Sequence, residues 1–249
     1  MPPAAPTTIA EVIQRLRSVE ASAPRSDGVA CFARLYREVT EGVGSELRQS
    51  VFADAAFLQR LDVAFAGLFF AALETYERSP AEAPSGWTPL FEARHRRGIA
   101  PIQFAFAGMN AHINGDLPLA LVTTCEASGV ELQRDSAEHS DYERVNALLA
   151  EVEARVKQSY LTGPVAAIDR LLHRVDRIDD VVAMWDVRRA RAAAWANAEM
   201  LWAIRAEPEL RAEFVRVLGR SVGLAGRGLL VPSDTLLRRA ARFLHSPGL

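Results

Sequence analysis

The chain has 249 residues, 49% of them hydrophobic and 24% charged, with a formal net charge of −2. That is enough length and apolar content for one large domain with a sizeable core, which needs neither disulfides nor metals to stand. The slightly acidic balance, with a pI of about 6.2, lacks the basic excess that a nucleic-acid partner calls for.

Apolar residues at Ile9, Val12, Ile13 and Leu16 recur at helical spacing and predict a short helix over 9–19, capped by Thr7 or Thr8. Val29, Phe32, Leu35, Tyr36 and Val39 predict a second over 29–43. Asp54 caps a long helix to 77 whose Phe57, Leu58, Leu61, Phe65, Leu68, Phe69 and Leu73 make it apolar enough to be central. A loop over 79–86 leads to a short helix over 88–95, opened by Thr88-Pro89. Gly98 ends it, and helical signal resumes over 99–127. Residues 129–138 are polar and read as a loop; Ser140 and Glu143 then form a capping box for a helix to 160. Gly163-Pro164 breaks the chain before a helix over 164–175. Helices over 179–204, 208–222 and 233–244 follow, with 223–228 as a flexible turn.

Strand signals are nearly absent. About ten helices with short loops predict an all-α protein, one compact multi-helix bundle. Residues 1–249 form a single domain: an N-terminal segment 1–26, a core 27–204 and C-terminal helices 205–249.

Cys31 and Cys125 occur in no metal-like spacing and read as buried free thiols in a reducing compartment. The N-terminus lacks a basic start before an apolar core, so no signal peptide is expected. The most apolar run, 63–73, is too short to span a bilayer and is followed by Glu74 and Glu77. A cytoplasmic protein without a membrane span is therefore expected. No P-loop, GxGxxG, GxSxG or HExxH motif occurs.

One stretch does not look like plain core. Between Phe104 and Leu121, otherwise apolar, stand Asn110, His112, Asn114 and Asp116. Buried polar side chains need partners or cost free energy. At roughly 100° per residue, Gln103, Asn110 and Asn114 share one stripe and His112 and Asp116 another. Four residues apart, His112 and Asp116 can touch. An Asp that accepts from one imidazole nitrogen leaves the other free as a general base or metal ligand. Gly108 precedes His112 by one turn and permits close approach to the backbone, while Gly115 and Pro118 predict a kink. Asp62, inside the most apolar helix, needs a partner, and Asn146 stands out in its apolar context.

Gly108 to Leu117 reads Gly-Met-Asn-Ala-His-Ile-Asn-Gly-Asp-Leu. This resembles the signature of a bacterial, all-helical domain family of unknown function. Phe32 to Tyr36 with Val39 and Thr40, Leu61 to Ala66, and Asp141 to Asn146 also resemble it, so the likeness covers about 27–201. The resemblance implies that Asp62, His112, Asn114, Asp116 and Asn146 matter as a group, and assigns no reaction.

The residues themselves suggest an enzyme with acid–base chemistry (isomerisation, dehydration or cyclisation) on a small hydrophobic molecule. His112, Asp116 and Asp62 are the candidate catalytic residues. Asn110, Asn114, Gln103, Asn146 and Tyr36 are the candidate substrate-binding residues. Two alternatives stay open. A divalent metal could be held by His112, Asp116 and Asp62 with His139 or Asp141, or the polar motif could be structural in a binding or scaffold protein.

Overall fold

A computed structural model describes residues 4–48, 52–162 and 186–232. Among these, all regular structure is helical. Helix α1 spans Ile9–Ala21, α2 Gly28–Leu47, α3 Ala55–Arg78 and α4 Thr88–Ala93. Helix α5, Pro101–Met109, runs through a π-helical segment, Asn110–Asp116, into α6, Leu117–Ser128. Then come α7 Ala137–Thr162, α8 Val187–Ala203 and α9 Pro208–Leu229. The described residues hold eight helices, counting Pro101–Ser128 as one interrupted rod. Two of the roughly ten predicted, over 164–175 and 233–244, lie outside the described residues.

Several helix starts are set where the sequence places them. Thr8 accepts from the Glu11 amide and Asp54 from the Phe57 amide, satisfying backbone donors that have no partner inside the helix. Asp27 caps α2 and is gripped by the Arg94 guanidinium at 2.8 Å. Asp141 accepts from the amides of Ala53 and Asp54, so α7 holds the start of α3.

Three expectations are corrected. Helix α7 begins at Ala137, not Ser140, because Ser136 supplies the cap: its Oγ accepts from the His139 amide. Helix α8 begins at Val187, since Asp186 is extended and caps the Arg188 and Arg189 amides, which breaks the predicted 179–204 helix; 179–185 lie outside the described residues. Residues 223–228 are no turn; α9 continues through them to Leu229. Gly223 serves contact instead. A Cβ on Gly223 would stand 2.4 Å from the Ser85 carbonyl oxygen, so a side chain is excluded by packing.

The rod α5–π–α6 is central: α2 packs on α5, α3 and α8 on α6, and α9 on α5 and the π segment. One core gathers Phe32, Phe69, Trp87, Phe91 and Phe104. A second gathers Phe57, Leu121, Tyr142 and Trp195. Met109 packs against both, so the π segment begins at their junction. Pro118 explains the predicted kink's form. It has no N–H to give the Asn114 carbonyl four residues back, and the Leu117 amide reaches past Ile113 O to His112 O, five residues back. Helix α3 has the length and composition of a membrane-crossing helix. In this fold it supplies Phe57, Phe69 and Phe70 to the cores and one wall of the cavity described next.

Candidate active site

The widened π turn presents His112 and Asp116 together. His112 Nδ1 lies 2.9 Å from Asp116 Oδ2, and the same oxygen accepts from Trp87 Nε1 at 3.0 Å. Two N–H donors on one carboxylate oxygen assign the Nδ1–H tautomer and leave Nε2 as a bare lone pair. The imidazole is 2% exposed. Phe65 lies flat on it, while Tyr36 and Phe32 meet it edge-on. Burial pulls His112 below the ordinary imidazole value, against the opposing pull of Asp116. Burial also pushes Asp116 up, opposed by His112 and Trp87.

His112 faces a cavity of about 90 Å³. Its walls are mostly apolar, with Phe32, Leu61, Phe65, Met109 and Leu149 among them. Three buried polar atoms on residues of this wall have no hydrogen-bond partner: His112 Nε2, Tyr36 Oη and Asp62 Oδ2. Thr40 lies beside the phenol, yet its hydroxyl donates to the Tyr36 carbonyl at 2.9 Å. As a whole residue Asp62 is half-buried, whereas its Oδ2 is sealed from solvent, and it is that atom which sets the chemistry. Burial pushes the Asp62 carboxyl up to about 7 and the Tyr36 phenol well above its usual value. Unsatisfied buried polar atoms are rare and costly. Three on one cavity mark a surface built to meet something polar.

The predicted site residues thus divide. Tyr36, Asp62 and His112 come together on the cavity, with Asp116 behind His112. Gln103, Asn110 and Asn114 do not line it. Gln103 takes the Ala100 amide and donates to the Leu229 and Val231 carbonyls, fastening the end of α9. Asn110 donates to Val222 O at 2.9 Å and accepts from Asn114. Asn146 also stands off the wall; its Oδ1 accepts from Arg191 Nε at 2.6 Å. Gly108 is approached closely, by the Phe32 ring rather than by a ligand.

The four-residue metal set is not assembled. No group of three or more His, Cys, Asp or Glu among the described residues is placed to hold an ion. Asp141 is occupied by backbone amides, and His139 packs on Trp195.

Sequence inspection misses Trp87, Phe65 and Arg191. Nothing local links Trp87 to Asp116, 29 residues on. Arg191 sits in an arginine-rich stretch that reads as solvated charge. Its register was the available signal: Val187, Arg191, Ala194, Trp195 and Ala198 recur on one helical face, and all are buried.

The profile of a family of unknown function (DUF5995) matches residues 9–232. The chain belongs to that family. The match takes in α1 through α9, with the cavity and the His112–Asp116 pair. No curated protein and no solved structure gives a significant match.

Proposed function

We propose that this member of DUF5995 is an enzyme that moves protons on a small hydrophobic molecule held in the cavity, in an isomerisation, dehydration or cyclisation. The observation that carries the proposal is the trio of unpartnered buried atoms, His112 Nε2, Tyr36 Oη and Asp62 Oδ2, on one apolar wall. A neutral imidazole held by Asp116 is a base. A carboxyl with a pKa of about 7 is substantially protonated near neutrality and is an acid. The Tyr36 phenol keeps its proton and is a donor. A proton leaves a substrate carbon for Nε2, and Asp62 or Tyr36 delivers one to a second atom. Solvent then takes the proton from the imidazolium and restores the donor.

The test is solvent-deuterium exchange into a panel of small ketones, enones and hydroxy compounds, with wild type and His112→Gln compared at equal folded concentration. Exchange by the wild type that disappears in the folded variant supports the proposal. Equal exchange in both, or binding of panel members with no exchange, removes it. The second of these results is what a binding protein without chemistry gives. That alternative draws support from Gln103, Asn110 and Asn114, whose hydrogen bonds are spent on fastening α9 to α5 and the π segment.

A further inference from the structure

Arg191 is the polar group on the cavity wall that proton transfer leaves unused. It is 7% exposed. Its Nε donates to Asn146 Oδ1 at 2.6 Å and its Nη2 to the Tyr142 carbonyl at 2.7 Å, and its guanidinium lies 3.7 Å over the Tyr142 ring. All three partners are uncharged. Among the described residues no carboxylate stands within ion-pair distance of it, and Nη1 makes no hydrogen bond. Glu143 is exposed and hydrogen-bonds Asn146, whose Nδ2 donates to Glu143 Oε2 at 2.9 Å; its charge acts on the guanidinium from beyond ion-pair distance.

A buried guanidinium that keeps its charge without an anion costs several kilocalories per mole. Neutral acceptors take two of its five N–H groups and fix its plane, but they do not offset the charge. The held plane is the geometry that recognises a carboxylate. The other polar residues of this wall are arranged differently. Tyr36 and His112 stand on the same wall uncharged.

We infer that the cavity takes a small hydrophobic carboxylic acid, its carboxylate on Arg191 and its apolar body directed toward His112 and Asp62. The inference rests on the proton-transfer function proposed above and adds the substrate's charged end. Asn146 becomes a positioning residue, holding the guanidinium in plane.

The test uses matched probes on the unmodified protein: benzoate against benzamide, and pentanoate against pentanamide, by calorimetric titration. Each acid should bind at least about tenfold more tightly than its amide, as a charge-assisted pair requires. That preference should vanish in Arg191→Gln and weaken in Asn146→Ala. Equal or tighter binding of the amides overturns the carboxylate anchor and leaves the proton-transfer proposal to its own exchange assay. No binding of either member overturns the anchor too. The acid–amide comparison needs no variant, so a poorly folding Arg191→Gln does not decide the matter. Acid preference together with no exchange in the ketone, enone and hydroxy panel leaves the anchor standing and removes the chemistry.

Discussion

The Phe65 ring lies face to face with the His112 imidazole, centroids 3.4 Å apart and planes 4° from parallel. One face of the base is thereby closed to water, and burial is what holds His112 below the ordinary imidazole value. Phe65→Ala opens that face and should raise the His112 pKa. A nitrogen NMR titration of the imidazole checks the direction; an unchanged or lower value would show that the stack has no part in it.

Asp62 predicts a pH dependence of stability. Its pKa is about 7 in the fold, against 3.8 for an unperturbed aspartate. Between these values the unfolded chain has released a proton that the folded one keeps. The contribution is fully present below about pH 4 and is lost as pH rises to about 7, on the order of 4 kcal/mol in all. Asp62→Asn removes the dependence, so the variant should gain on wild type as pH rises through this window. Urea midpoints at either end measure it; parallel pH profiles would place Asp62 in contact with solvent.

Asp116 holds two donors at once. Asp116→Ala leaves Trp87 Nε1 and His112 Nδ1 without their acceptor and should cost about 2–4 kcal/mol. Asp116→Asn keeps an acceptor oxygen and should stay within about 1.5 kcal/mol of wild type. In the exchange assay it should nonetheless be slow, since the carboxylate no longer supports a forming imidazolium. Full activity in Asp116→Asn would argue that the charge is irrelevant.

Gly108→Ala should destabilise the protein by about 1–3 kcal/mol through overpacking. The added Cβ would stand 2.4 Å from Phe32 Cγ, and that ring is 1% exposed and hemmed in by Phe69 and Trp87. Phe32 also lines the cavity, so its displacement should weaken ligand binding in parallel. Thermal melts and probe titrations on the same sample separate the two effects.

The cavity wall and the stripe that fastens α9 predict opposite phenotypes. Asn110→Ala frees the Val222 carbonyl and the Asn114 amide, and should cost about 1–3 kcal/mol while leaving probe affinity alone. Tyr36→Phe should do the reverse. It removes a buried hydroxyl without a partner, so stability should hold or rise while function suffers. Loss of probe binding in a folded Asn110→Ala would bring that stripe back into the site.

The sequence by itself determined the helical class and most helix positions, because apolar spacing and capping side chains act within a few residues. It also determined that His112 pairs with Asp116, since residues four apart on a helix are neighbours. The tertiary structure decided which stripe faces the cavity and which faces α9. Both carry buried polar groups in the same apolar run, and only the packed neighbours tell them apart. It decided the fate of Gly223, where the approach of Ser85 turned an apparent loop into a helix contact. Arg191 shows the physical reason. A guanidinium among other arginines is surface charge by composition, and becomes a buried cation only when α8 docks its apolar face and carries the side chain in with it.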